Sequence, residues 1–140
     1  RAYLDGHREE AARHVAALES DGGWFAPAGF SVGGSDELRA HLAKLAAPLA
    51  ALGADRIVAG GSGVDVGPIV ETGVPGLGHR THNESYFSYH HSAADTFDKI
   101  STDDLAANAA AIAALVLAIA DDPVSLRDLI QPSPSEDVTH

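Results

Sequence analysis

Cysteine is absent from the 140 residues of this sequence. Disulfides and thiolate metal ligation are therefore excluded, and the redox setting is not readable from the chain. Basic residues are scarce: 9 Lys and Arg stand against 20 Asp and Glu, a formal charge of −11. That balance argues against a nucleic acid or an anionic membrane surface as partner, because both need clustered cations. It suits a soluble protein whose acidic field bound cations offset in part. Arg1-Ala2-Tyr3-Leu4-Asp5 lacks the charged-then-apolar pattern of a signal peptide. No uncharged run matches the roughly 20 strongly apolar residues of a membrane span. Leu105 to Ala120 comes nearest, but alanine dominates it and acids flank it, so a buried helix is expected there.

What is present suffices for one domain, or part of a larger one. The hydrophobic fraction of 45% leaves enough apolar side chain for a sizeable core. Arg1 to about Arg13 reads as a polar helix, and Val15 to Leu18 as a short buried strand running into Glu19-Ser20-Asp21-Gly22-Gly23. Ser35 or Asp36 caps a second helix, where Leu38, Leu42, Leu45, Leu49 and Leu52 recur at spacings of four and three. Pro48 should kink or break that helix, and Gly53 ends it. Ile57–Ala59 is a second short strand, Ile69–Thr72 a short helix, and Gly76–His79 a third strand with close backbone packing. Ser101 opens the last helix, with Leu105, Ile112, Val116 and Ile119 along one face and Leu115 alongside, until Pro123 stops it. Residues 1–122 are expected to form the domain and 123–140 a polar tail, frayed from Pro132 onward.

Alternating strands and helices indicate an α/β fold, with helices covering a mixed or mainly parallel sheet. Sites in such sheets form beyond the carboxyl ends of strands. Asp21, the Gly60–Pro68 loop and the His90-His91 segment all follow strands or extended pieces, so they can meet at one edge.

Each candidate has an ordinary reading beside a chemical one. Asp21 suits a glycine-flanked turn, where a carboxylate bonds nearby backbone N–H groups, and equally suits a metal ligand. The Gly60–Pro68 loop lacks the Lys-Ser/Thr of a phosphate-binding loop. It reads either as a flexible turn or as a lining that presents Ser62 and Asp65 to a substrate. Ser62 has no nucleophile-elbow context. His90 and His91 are adjacent imidazoles, and on an extended segment they point to opposite faces, so one at most addresses a given metal. Asp95 and Asp98 suit turns or caps, or accept the outer N–H of a ligating imidazole. His79 and His82 read as loop residues with little part in metal contact, and Trp24-Phe25 as packing over a loop.

Taken in order, Ala17 to Gly23, Gly60 to Pro68, Gly73 to Gly78 and Tyr86 to Lys99 resemble the C-terminal half of M28-family zinc peptidases. The resemblance is to the branch of carboxypeptidase Q and bacterial aminopeptidases, and it extends to about Asp122. It implies a partial zinc-exopeptidase (phosphorylase/hydrolase-like) fold and a zinc cofactor, two ions in the complete family site. It also implies a peptide or dipeptide substrate and a secreted or periplasmic setting. Asp21 matches a family metal ligand, and His91 the His that opens the His-Ser/Thr-x-x-Asp-Thr motif. His90 is the frequent neighbour, turned away, and Asp95 a supporting acid. The family's first His, its bridging Asp and its Glu-Glu pair are expected upstream of Arg1, and Glu9-Glu10 sits in the wrong register to replace them. The chain therefore reads as the C-terminal portion of a zinc exopeptidase, inactive alone, with no catalytic base of its own. The alternative is a non-catalytic α/β module serving as a binding or oligomerisation surface. Pairing with the missing N-terminal half, or with a second copy, follows from either reading.

Overall fold

The computed structural model describes residues 1–22 and 24–130. Gly23 and the stretch from Pro132 to His140, where fraying is expected, lie outside the described residues. Four strands form one open sheet: β1 (Ala17–Glu19), β2 (Pro27–Val32), β3 (Ile57–Ala59) and β4 (Gly76–Thr81), in the order β1-β4-β2-β3. β1 pairs parallel with β4, Ala17 opposite Gly76, and β2 pairs parallel with β3, Phe30 opposite Ile57. Between the two parallel pairs β2 and β4 run antiparallel. The sheet is mixed, and β3 runs against β1 and β4.

β2 is the strand the sequence reading passes over. Pro27, Gly29, Gly33 and Gly34 punctuate it like a turn, yet Phe30 and Val32 are fully buried. Pro27 opens the strand, where a missing N–H is tolerated. The register shifts between Pro27 and Gly29. Gly29 has φ +105°, and a Cβ there would lie 2.1 Å from the carbonyl oxygen of Arg56. Only glycine fits that bulge.

Helix α2 (Asp36–Ala46) follows its sequence signals closely. The Ser35 hydroxyl accepts the Leu38 N–H at 3.0 Å, and Leu38, Leu42 and Ala46 face the core. At Pro48 the chain tightens into a 3-10 helix over Ala47–Leu52, closed by Gly53 at φ 70°. The N-terminal helix is shorter than expected. Here α1 covers Ala2–Gly6, and a 3-10 helix spans Arg8–Arg13. A glycine at position 6 breaks the run, while Leu4 and Ala11 are its buried anchors.

Helix α5 (Thr102–Asp121) starts where predicted, the Ser101 hydroxyl accepting the Asp104 N–H at 3.2 Å. Its buried face differs from the expected one. Asn108, Ala111, Leu115 and Ile119 are buried, whereas Leu105 and Val116 are about half exposed at 50% and 49%. The rotation follows from Asn108, whose amide donates to the Phe25 carbonyl at 2.7 Å, and from Ala111, small enough for close packing. Among the described residues α5 is long and apolar enough to cross a membrane, yet in this fold it packs against α2 and β2. Short helices α3 (Gly67–Val70) and α4 (Tyr86–Tyr89) complete the regular elements, with 3-10 turns at Phe97–Lys99 and Leu126–Leu129.

Within the segment expected as a tail, Leu126 is buried and belongs to the core cluster. Arg127 donates to the carbonyls of Ala11 (2.6 Å) and His14 (3.2 Å), tying this segment to the N-terminal turn. Residues 123–130 thus pack on the body, because their apolar side chains cover the end of the core.

Candidate functional site

After β3 the chain crosses the face of the sheet instead of leaving its edge. Gly76 and Gly78 of β4 make room for it: a Cβ at Gly76 would lie 2.5 Å from Ser62 Oγ, and one at Gly78 2.8 Å from the Gly61 carbonyl oxygen. The Ser31 hydroxyl donates to the Gly61 carbonyl at 2.7 Å and holds the crossing in place. This is the close backbone packing expected of Gly76–His79.

The crossing loop ends at β1. The Glu19 carboxylate accepts three successive backbone N–H groups, Val64 on Oε1 at 3.2 Å and Asp65 and Val66 on Oε2 at 2.8 and 3.1 Å. Such charge-assisted bonds are among the stronger ones available to a loop. Gly63, with φ +104°, lies so near that a Cβ would meet Glu19 Cδ at 2.1 Å. Between this loop and the end of β1 opens a cleft of about 320 Å³, lined by Glu19, Asp21, Ser31, Ser62, His79 and Thr81 among others.

Asp21 and Ser62 are brought to this cleft. Asp65 is not: its backbone is held by Glu19, and it lines a second cavity with Tyr3, Leu4 and Ile69. The His segment has a shape the sequence does not suggest. Tyr86–Tyr89 forms the single helical turn α4, and His91 follows at φ 54°, a left-handed conformation uncommon outside glycine. The two imidazoles are therefore not on opposite faces of an extended segment. Their rings stack at 3.7 Å, and His90 stacks on Tyr86 at 4.5 Å. His90 is sandwiched between Tyr86 and His91 instead of being turned away. Among the described residues no hydrogen bond joins Asp95 or Asp98 to either ring. Asp98 engages Thr96 and Lys99, which hold its carboxyl below the usual range, Lys99 contributing most.

Tyr86 stacks on His90 at the start of this turn. Its hydroxyl is pushed above the ordinary phenol range by burial first, then by the charges of Asp21 and Asp95. Trp24, three residues after Asp21, meets Tyr89 edge-on with ring centroids 5.9 Å apart, so the loop after β1 touches the helical turn that precedes the His pair.

Three cleft residues were not expected as such. In the sequence Glu19 sits among turn residues, Thr81 carries no motif, and His79 stands at the end of the expected third strand with little sign of metal contact. His79 is a strand residue, 7% exposed, with Nδ1 3.0 Å from Ser20 Oγ. Burial holds its pKa below the ordinary value, against a smaller opposite effect of the neighbouring Asn108 side chain. The one sequence signal for these was alternation: Leu77, His79 and Thr81 share a face of β4, and all are buried.

Among the described residues no three His, Asp or Glu side chains converge as a metal-binding group. Asp21 and His91 supply a carboxylate and an imidazole, donor types that suit zinc, but two ligands fall short of the three that a catalytic zinc requires.

A mixed, open α/β sheet flanked by helices, with its cleft beside the end of β1, is an architecture of the zinc-exopeptidase type. No family model matches the chain. Carboxypeptidase Q from Mus musculus, Rattus norvegicus and Homo sapiens is 29% identical to it over 119 residues, 85% of this chain and 25% of each relative. Among solved structures, that of a peptidase M28 precursor from Shewanella amazonensis SB2B matches with a TM-score of 0.71 and 29% identity. The match covers 95% of this chain and 29% of that one. These findings support a likeness to M28-family peptidases over a partial region of their length. It spans about a quarter of the length of the curated relatives it matches.

Proposed function

We propose that the chain is the C-terminal portion of a zinc-dependent exopeptidase, an aminopeptidase or dipeptidase, that cleaves peptides in a secreted or periplasmic setting. Asp21 and His91 each contribute one donor to a two-zinc centre, and Ser62 lines the substrate side. The observation that carries this reading is the likeness to the peptidase M28 precursor, with a TM-score of 0.71 and 29% identity over 95% of this chain, together with Asp21 on the cleft beside β1. Bound zinc would polarise the scissile carbonyl and activate water. The chain's own part is to hold two ligands and one wall of the cleft. The remaining ligands and the general base must come from polypeptide outside these 140 residues.

The 140-residue chain is accordingly expected to bind zinc weakly and to leave aminoacyl-anilides and dipeptides intact. In a full-length parent protein, Asp21→Ala and His91→Ala should each lower zinc content and kcat/KM at least about 100-fold. Robust zinc-dependent hydrolysis by the 140-residue chain would refute the incomplete-site reading. Full activity of both variants would refute the ligand assignment.

A second reading, a non-catalytic module offering a binding or oligomerisation surface, draws on one observation. Beside β1, an edge strand of the sheet, Val15 and Val116 are half exposed and border an apolar cavity of about 310 Å³. Sedimentation of the chain across a concentration series decides it: a strictly monomeric chain that also binds no other part of the parent protein removes this reading.

A further inference from the structure

We propose that His79 and Thr81 are positioning residues that fix the aim of the Asp21 carboxylate by holding the residue on either side of it. The proposal rests on the reading of Asp21 as a metal ligand. β4 presents Leu77, His79 and Thr81 on its buried face. Leu77 is fully buried core, and the face turns polar at its last two inward positions. Buried polar groups are costly unless they are paired, so their pairing partners show what they do there.

Both partners flank Asp21. His79 Nδ1 lies 3.0 Å from Ser20 Oγ, and the Thr81 hydroxyl donates to the Gly22 carbonyl at 2.7 Å. Asp21 itself is exposed, with no strand ladder to hold it. It is instead flanked by two anchors, the Ser20 side chain before it and the Gly22 backbone carbonyl after it, each bonded to a side chain of one rigid strand, two positions apart. A second layer supports the first. The Asn108 side chain of α5 neighbours His79, and its amide donates back to the same loop at the Phe25 carbonyl, 2.7 Å away. The His79 ring also packs on Phe30 at 5.5 Å, so the imidazole is held by the core. Gly22 sits close against this support, since a Cβ there would lie 3.3 Å from Thr81 Oγ1. A carboxylate on a loop held in this way needs little reordering when it binds a cation, and removal of such outer supports typically weakens metal binding 10–100-fold.

The test uses the 140-residue chain with Thr81→Val, which keeps shape and removes the donor, and Thr81→Ser, which restores it. Backbone order parameters of Asp21 and Gly22 are measured by NMR without metal, and zinc affinity by calorimetric titration of zinc chloride. Thr81→Val should drop the order parameters from about 0.85 to below about 0.6. It should weaken zinc binding about tenfold, with the melting temperature of Thr81→Ser and both its readouts close to the parent chain. Ser20→Ala, at an exposed position, severs the His79 contact without touching the core, and gives the same two shifts should Thr81→Val fail to fold. Unchanged order parameters in Thr81→Val and Ser20→Ala overturn the proposal. Equal zinc titrations for the parent chain and Asp21→Ala overturn the ligand reading instead, and leave the order parameters to decide whether the loop is positioned.

Discussion

Glu19 shows how much one side chain settles at this site. Its carboxylate takes three successive backbone N–H groups of the loop after β3. Glu19→Ala is expected to cost about 1–3 kcal/mol by urea denaturation. Gly63→Ala should cost a similar amount or more, because its Cβ would occupy the place of Glu19 Cδ at a φ unfavourable to any side chain. The two share one contact, so the double variant should lose clearly less than the sum of the single losses. None of this was visible in the sequence, where Glu19 sits among turn residues and Gly63 among flexible ones. Their relation exists only once β1 and the crossing loop are in contact. Asp21 and Ser62 were legible because glycine-flanked turn residues after a strand already point to a cleft. His79 ends the expected third strand, but its contact with Ser20 joins residues 59 positions apart and leaves no local signal. Its lowered pKa has a measurable sign. The unfolded chain takes up a proton near pH 6.5 while the folded chain resists it, so this residue's contribution is intact above that pH and is lost as pH falls below it. Stability measured from pH 8 to 5 should therefore decline less steeply in His79→Gln than in the parent chain.

At the level of elements, local signals were reliable where they were local. The Ser35 and Ser101 caps, the Pro48 break and the Gly53 stop are each decided by one residue's backbone chemistry, and each stands where the sequence placed it. The failures came from tertiary packing. β2 carries turn-like residues but is buried because it lies between β4 and β3. For α5 the largest apolar residues suggested the face, whereas an asparagine and an alanine take part in setting it. The contrast is testable on adjacent residues. Leu115→Ala should cost about 2–5 kcal/mol, and Val116→Ala no more than about 1 kcal/mol, by chemical denaturation. Comparable losses at the two positions would show that the helix face is wrongly assigned.

For the whole molecule, the body extends beyond Asp122. Leu126 closes the core and Arg127 ties it to the N-terminal turn. A chain ending at Asp122 should lose at least about 2 kcal/mol, the lower end of what deleting a buried leucine costs. Unchanged stability would mean that the segment rests on the surface. The mixed sheet was one of two arrangements the sequence allowed, and the direction of β3 was not among its signals. Periodicity reports which residues face inward, but not which way a strand runs.

The strand order β1-β4-β2-β3 also bears on the sequence of events in biosynthesis. β2 and β3 can pair as soon as Ile57–Ala59 has emerged, with α2 already made between them. β1 emerges first but has its ladder partner in Gly76–Thr81. Until β4 leaves the ribosome, the strand that leads into Asp21 has nothing to pair with in this sheet. The earliest part of the candidate site to be synthesised thus waits for a strand made much later in the chain, a long-range step of the kind that slows folding.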